Sequence, residues 1–144
     1  MEQHWTPGDV QDVELSVTFE ELQEIAMRVI VRMPQPLGQV CGPLSSGGHG
    51  SMEMNLEAMG FQIIVLRAKR KNIFSQLPFE KQMGIIKDLP YYKGGTHLLD
   101  AFYLPIFRSG LIKTLYFMDN WQSSYGAKWE HDRAEGLQIE IVYL

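Results

Sequence analysis

Leu111-Ile112-Lys113-Thr114-Leu115-Tyr116-Phe117-Met118, followed by Asp119-Asn120-Trp121-Gln122-Ser123-Ser124-Tyr125-Gly126, sets the architecture of this chain. The first eight residues are mostly apolar and predict a buried strand. The next eight are a Gly/Ser-rich loop, and Ser123 or Ser124 can cap a helix that carries Lys128 to Leu137. Gln138 to Leu144 (QIEIVYL) then reads as a terminal strand. A strand, a helix and a strand in that order make a parallel unit.

Working outward, Phe61 to Leu66 (FQIIVL) is a second continuous apolar run and is expected to be a buried strand. Gln39-Val40-Cys41 is a shorter one. Thr18 followed by Glu21 fits a capping box, and apolar residues from Phe19 to Met33 follow helical spacing until Pro34 and Pro36 end it. Ser51 can cap a helix through Met59 that Gly60 closes. Further helices are expected over 75–89 and 96–108, the latter kinked by Pro105. Strands alternating with helices predict an α/β fold. It is a small doubly wound (Rossmann- or flavodoxin-like) parallel sheet of about four strands. Helices cover both faces, and the helix at 18–33 is additional.

The chain has 144 residues, suited to one domain that buries ~70% of its unfolded surface. Residues 1–17 read as a loose arm and 18–144 as a single domain. A net charge of −4, with no basic block, speaks against binding DNA or RNA. The short basic stretch Arg67 to Lys71 reads as a solvated connection or, less simply, as attraction for an anion. The lone Cys41 excludes an intrachain disulfide and multi-cysteine zinc sites. The polar start is not expected to be a signal peptide, and no apolar run is long enough to span a membrane. A cytoplasmic protein without metal or cofactor is expected.

Ligands of doubly wound sheets bind beyond the carboxyl ends of the strands. That rule selects Gly42-Pro43-Leu44-Ser45-Ser46-Gly47-Gly48-His49-Gly50 after the first strand and 119–126 after the third. Both lead into helix N-termini, where N–H groups and the helix dipole favour an anion. Neither is a Walker motif or GxGxxG, and each could be Gly/Ser-rich for its turn alone. The two loops are expected to meet around one pocket. Glu130 shares its helix face with Gly126, Ala127 and Ala134, which leaves room for a bulky ligand. The plainer reading is a solvated glutamate paired with Arg133. The four histidines are scattered, without HExxH, so no metal site is expected.

Residues 41–48 (CGPLSSGG) together with Ser124-Tyr125-Gly126-Ala127-Lys128-Trp129-Glu130 resemble the nucleoside 2-deoxyribosyltransferase-like superfamily. The nearest look-alikes are its 2′-deoxynucleoside 5′-monophosphate N-glycosidases. The resemblance implies a glutamate nucleophile at Glu130, with Asp100 as an acid. It implies a phosphate held by Gly42, Ser45, Ser46, Gly47, Gly48, Ser124 and Gly126. The substrate would be a nucleotide or nucleoside, and serine at 124 favours the phosphorylated form. A non-catalytic nucleotide-binding module on the same fold is the alternative. Gln39 stands where relatives often carry a tyrosine, and Lys113 where they often carry an aspartate. A homodimer or larger homo-oligomer is implied too, and the surplus of large apolar residues at 98–118 points the same way.

Overall fold

The computed structural model describes residues 2–144, which form six α-helices and four strands. The order is α1 (Pro7–Leu15), α2 (Phe19–Arg32), β1 (Leu37–Cys41), α3 (Met52–Ala68) and β2 (Asn72–Ile73). Then come α4 (Glu80–Lys87), α5 (Leu104–Arg108), β3 (Ile112–Phe117), α6 (Tyr125–Leu137) and β4 (Glu140–Tyr143). The chain divides into two compact units rather than one domain with an arm. One unit is the sequence up to Met33 with Pro78–Leu111, and the other is Pro34–Leu77 with Ile112–Leu144.

In the first unit the expected loose arm is a helix. Thr6 accepts from the Asp9 N–H at 3.1 Å and Asp9 accepts from the Thr6 N–H at 2.9 Å, a complete capping box with Pro7 behind it. Asp9 is only 2% exposed and pairs with Arg32 of α2 and, at 3.4 Å, with Arg28. The Arg32 hydrogen bond, opposed by burial, holds the Asp9 carboxyl at about 2 against an ordinary 3.8. A lowered carboxyl stabilises the fold fully above its ordinary value, and that contribution fades as pH falls from about 4 to about 2. Asp9→Asn should therefore cost about 2 kcal/mol at neutral pH. In the variant the acid loss of stability over that range should flatten, as denaturant titration at each pH would show.

Helix α2 buries Phe19, Leu22, Ile25, Ala26, Val29 and Ile30, the stripe its spacing predicts, behind a Thr18–Glu21 capping box. The segment expected as a helix over 75–89 begins with a 3₁₀ turn at Leu77–Phe79 and continues as α4. Ahead of α5, Leu99–Tyr103 widens into a π turn, and the Leu104 N–H reaches back to Leu99. Pro105 has no N–H for the preceding turn, and the wider turn accommodates it. Leu99, Phe102, Tyr103, Ile106 and Phe107 are all buried. Phe102 lies 5.2 Å from Phe79, which lies 5.2 Å from Trp5. The apolar surplus of 98–118 thus fills the interior, and the sequence argument for an oligomer that rested on it falls away.

The second unit is the expected doubly wound sheet. Its four strands are all parallel in the order β2-β1-β3-β4. Phe61 to Leu66 is not one of them. It continues α3, and Gly60 does not close that helix. The strand in its place is the two-residue edge β2. Side chains alternate along a strand. Val40 packs with Met59, Ile63 and Leu66 of α3, and Gln39 meets Glu130 of α6. Helices α3 and α6 therefore cover opposite faces. From β1 the chain moves outward to β2 and from β3 outward to β4, so the switch of direction lies between β1 and β3. Among the described residues no helix is long and apolar enough to cross a membrane.

Candidate functional site

The loops after β1 and β3 lie at this switch point and touch each other. The Gly48 N–H donates to Ser123 Oγ at 2.8 Å, and Ser123 Oγ donates to the Asn120 carbonyl at 2.7 Å. The Tyr125 N–H, at the start of α6, reaches Ser46 Oγ at 3.3 Å. Asn55 of α3, only 3% exposed, stitches the first loop. Its Nδ2 donates to the Leu44 carbonyl at 2.9 Å and to that of Gly47 at 3.2 Å, and its Oδ1 accepts from the His49 N–H at 2.9 Å. Sequence reading missed Asn55, and it named Ser123 only as a possible cap of α6, a place that Ser124 takes. An asparagine four residues inside the N-cap Ser51 of an apolar helix was the available signal.

Gly47 has φ +70°, and a Cβ there would stand 2.1 Å from the Ser123 carbonyl oxygen. The second loop therefore crosses directly over Gly47, and no side chain fits between. Gly47→Ala should cost about 1–3 kcal/mol through left-handed strain and the forced parting of the loops. Urea denaturation measures it, and a wild-type midpoint would refute the contact. Gly42 is tight for a different reason, since a Cβ would meet Met118 Sδ at 2.6 Å. That glycine serves packing.

The structure gives each remaining expected phosphate residue a distinct place. Ser45 is exposed on the loop. Ser124 is buried and caps α6, its Oγ accepting from the Ala127 N–H at 3.1 Å. Gly126 occupies the second position of α6, where a backbone N–H has no partner within the helix. Asp100 belongs to the other unit, in the π turn, exposed and held by Thr96 Oγ1 at 2.8 Å.

Glu130 departs from the plain reading. It is 6% exposed and sits with Ala127 and Ala134 on the buried face of α6. Arg133 lies instead over the Trp129 ring, 5.5 Å from its centre. Gln39 Nε2 donates to Glu130 Oε2 at 3.0 Å, and both residues are buried. Cys41, two residues along the same strand face, completes the cluster. Burial first, then the Glu130 charge and a hydrogen bond to it, push the Cys41 thiol well up, against a smaller opposing effect of Gln39. A thiol that keeps its proton is a donor to the carboxylate. Gln39 Oε1 is buried without a hydrogen-bond partner. The small side chains of α6 let it approach the sheet, and the carboxylate meets β1.

Beside Glu130, His131 stacks on Trp121 with ring centres 4.3 Å apart, and its Nε2 lies 2.7 Å from the Tyr143 hydroxyl. His131, Asp132 and Glu135 could offer ligand atoms within 4.8 Å of one another. The His131 ring nitrogens already meet Tyr143 and, at 3.3 Å, Glu135, so the set is better accounted for as a side-chain stack than as a metal centre.

Comparison with protein-family models, with curated proteins and with solved structures finds no match. The functional reading rests on the geometry and on the resemblance of the two motifs.

Proposed function

We propose that the protein cleaves or transfers the N-glycosidic bond of a nucleotide or nucleoside, with Glu130 as nucleophile. The observation that carries this reading is the buried Glu130 carboxylate held at 3.0 Å by Nε2 of Gln39, the middle residue of the inner strand β1. Hydrogen bonds to an ionised carboxylate favour the charged form, which a nucleophile needs and burial opposes. One carboxylate oxygen attacks the anomeric carbon as the bond to the base breaks, and the base leaves with the electron pair and gains a proton. Water or a second base then resolves the glycosyl ester and restores the carboxylate. The start of α6, with the Gly126 N–H, is the proposed seat of the phosphate.

A second reading, a nucleotide-binding module without turnover, draws on one observation. Glu130 is only 6% exposed and is turned onto Gln39 of β1, an arrangement that also suits a structural carboxylate on a binding fold. Incubation with a panel of nucleotides and nucleosides separates the readings, with free base read by chromatography and binding by calorimetry. Base release that Glu130→Ala abolishes supports the enzyme. Binding without release supports the module, and neither binding nor release refutes both.

A further inference from the structure

Wholly within the first unit, α1 and α4 flank a cavity of about 830 Å³. That volume lies in the range of small-molecule sites. Val10 and Val13 of α1 form part of one wall, and Pro78 and Ile85 part of the other. Val10 and Ile85 are 38% and 47% exposed, so apolar surface on both walls is open to a ligand. Trp5 also lines the cavity, and its ring centre lies 5.2 Å from that of the buried Phe79. A flat aromatic body in the cavity would extend this row of rings.

The polar groups of the lining set the charge of the ligand. Gln82 is only 9% exposed, and its Nε2 donates to the Ser16 carbonyl at 2.7 Å. A carbonyl only accepts, so the amide must keep its nitrogen there and its Oε1 remains an acceptor for the cavity. Glu14 is exposed on α1 and makes no ion pair among the described residues. Glu2 adds a second carboxylate, against the single cation Lys81. Acceptors thus outnumber donors, and negative charge outnumbers positive. We infer that this cavity binds an aromatic amine, a flat apolar ring system carrying one ammonium group on a short chain. The ring occupies the space between the Val10 and Ile85 walls. The ammonium, which has three N–H donors and no acceptor, donates to the Glu14 carboxylate, with Gln82 Oε1 as a further acceptor. An anionic ligand of the same shape would meet one cation and two carboxylates. The site stands on the first unit alone and does not depend on the chemistry proposed for Glu130.

Calorimetric titration of the full chain with three probes that share an indole body tests it: tryptamine, 3-ethylindole and indole-3-propionate. Tryptamine should bind about tenfold more tightly than 3-ethylindole, the effect of one charge-assisted hydrogen bond, and indole-3-propionate should bind most weakly. Glu14→Gln should weaken tryptamine about tenfold and leave 3-ethylindole within about twofold. Val10→Trp fills the cavity and should remove binding of all three probes. If that variant does not fold, Glu14→Gln, a change at an exposed position, still decides the matter. Absence of tryptamine binding overturns the site, and so does binding that a folded Val10→Trp retains. Tighter binding of the carboxylate than of the amine, or tryptamine affinity that Glu14→Gln leaves intact, overturns the choice of an amine.

Discussion

Glu130→Gln should lower base release about ten-thousand-fold or more, while nucleotide binding and the fold persist. The amide has nearly the shape of the carboxylate, and its oxygen can accept from Gln39 Nε2 as the carboxylate does at 3.0 Å. The packing against Ala127 and Ala134 has no reason to change. What disappears is the nucleophile, because an amide oxygen cannot form the glycosyl ester and leave again as a carboxylate. The phosphate seat proposed at the start of α6 lies more than a turn away from Glu130, so affinity should hold within about threefold. Single-turnover chromatography of released base gives the rate, and calorimetry gives the affinity. Substantial turnover by the Gln variant would remove Glu130 from the chemistry. Parallel loss of binding and folding would make it a structural residue.

The readable parts of the fold were those whose signals are local and sustained. Helix α2 has a capping box and an apolar stripe, and β3, α6 and β4 follow one another with a cap between them. The misread parts have identifiable causes. Phe61 to Leu66 looks like a strand because Ile63, Ile64 and Val65 are β-branched and the run is unbroken. It is helical because one side of α3 covers the sheet while the other stays exposed, which erases the amphipathic period. The actual β2 has two residues, too few to show any period. Helix α1 lacks an apolar stripe, and the ion pairs of Asp9 with Arg28 and Arg32 lie 19 and 23 residues away. The site divides along the same line. Glu130 was visible from its small neighbours along the helix, whereas its donor Gln39 is 91 residues distant and carries no motif. Sheet topology brings the two together, and no reading of either segment alone shows it.

The Gln39–Glu130 pair can be weighed separately from any activity. Gln39→Leu keeps the volume on the central strand roughly constant but withdraws the amide donor from a carboxylate that is 6% exposed. A buried charge that loses a hydrogen bond forfeits more than that bond's net worth, because water cannot replace the donor. The variant should lose about 2–3 kcal/mol at neutral pH. Cys41, on the same strand face, keeps its thiol as a donor to the carboxylate, and a thiol is a weak one. Glu130→Leu alone should also destabilise, since it strands the Gln39 amide, whose Oε1 is already unpartnered. The double variant removes both polar groups and should recover most of the loss, because two apolar side chains of similar shape can replace a buried polar pair at little cost. A double-mutant cycle by urea denaturation should therefore give a coupling of about 1.5–3 kcal/mol. Additive single losses would mean that the 3.0 Å contact contributes nothing in solution and that Glu130 keeps its place by other means. A large coupling combined with lost base release in Gln39→Leu would tie the strand residue to the nucleophile it holds.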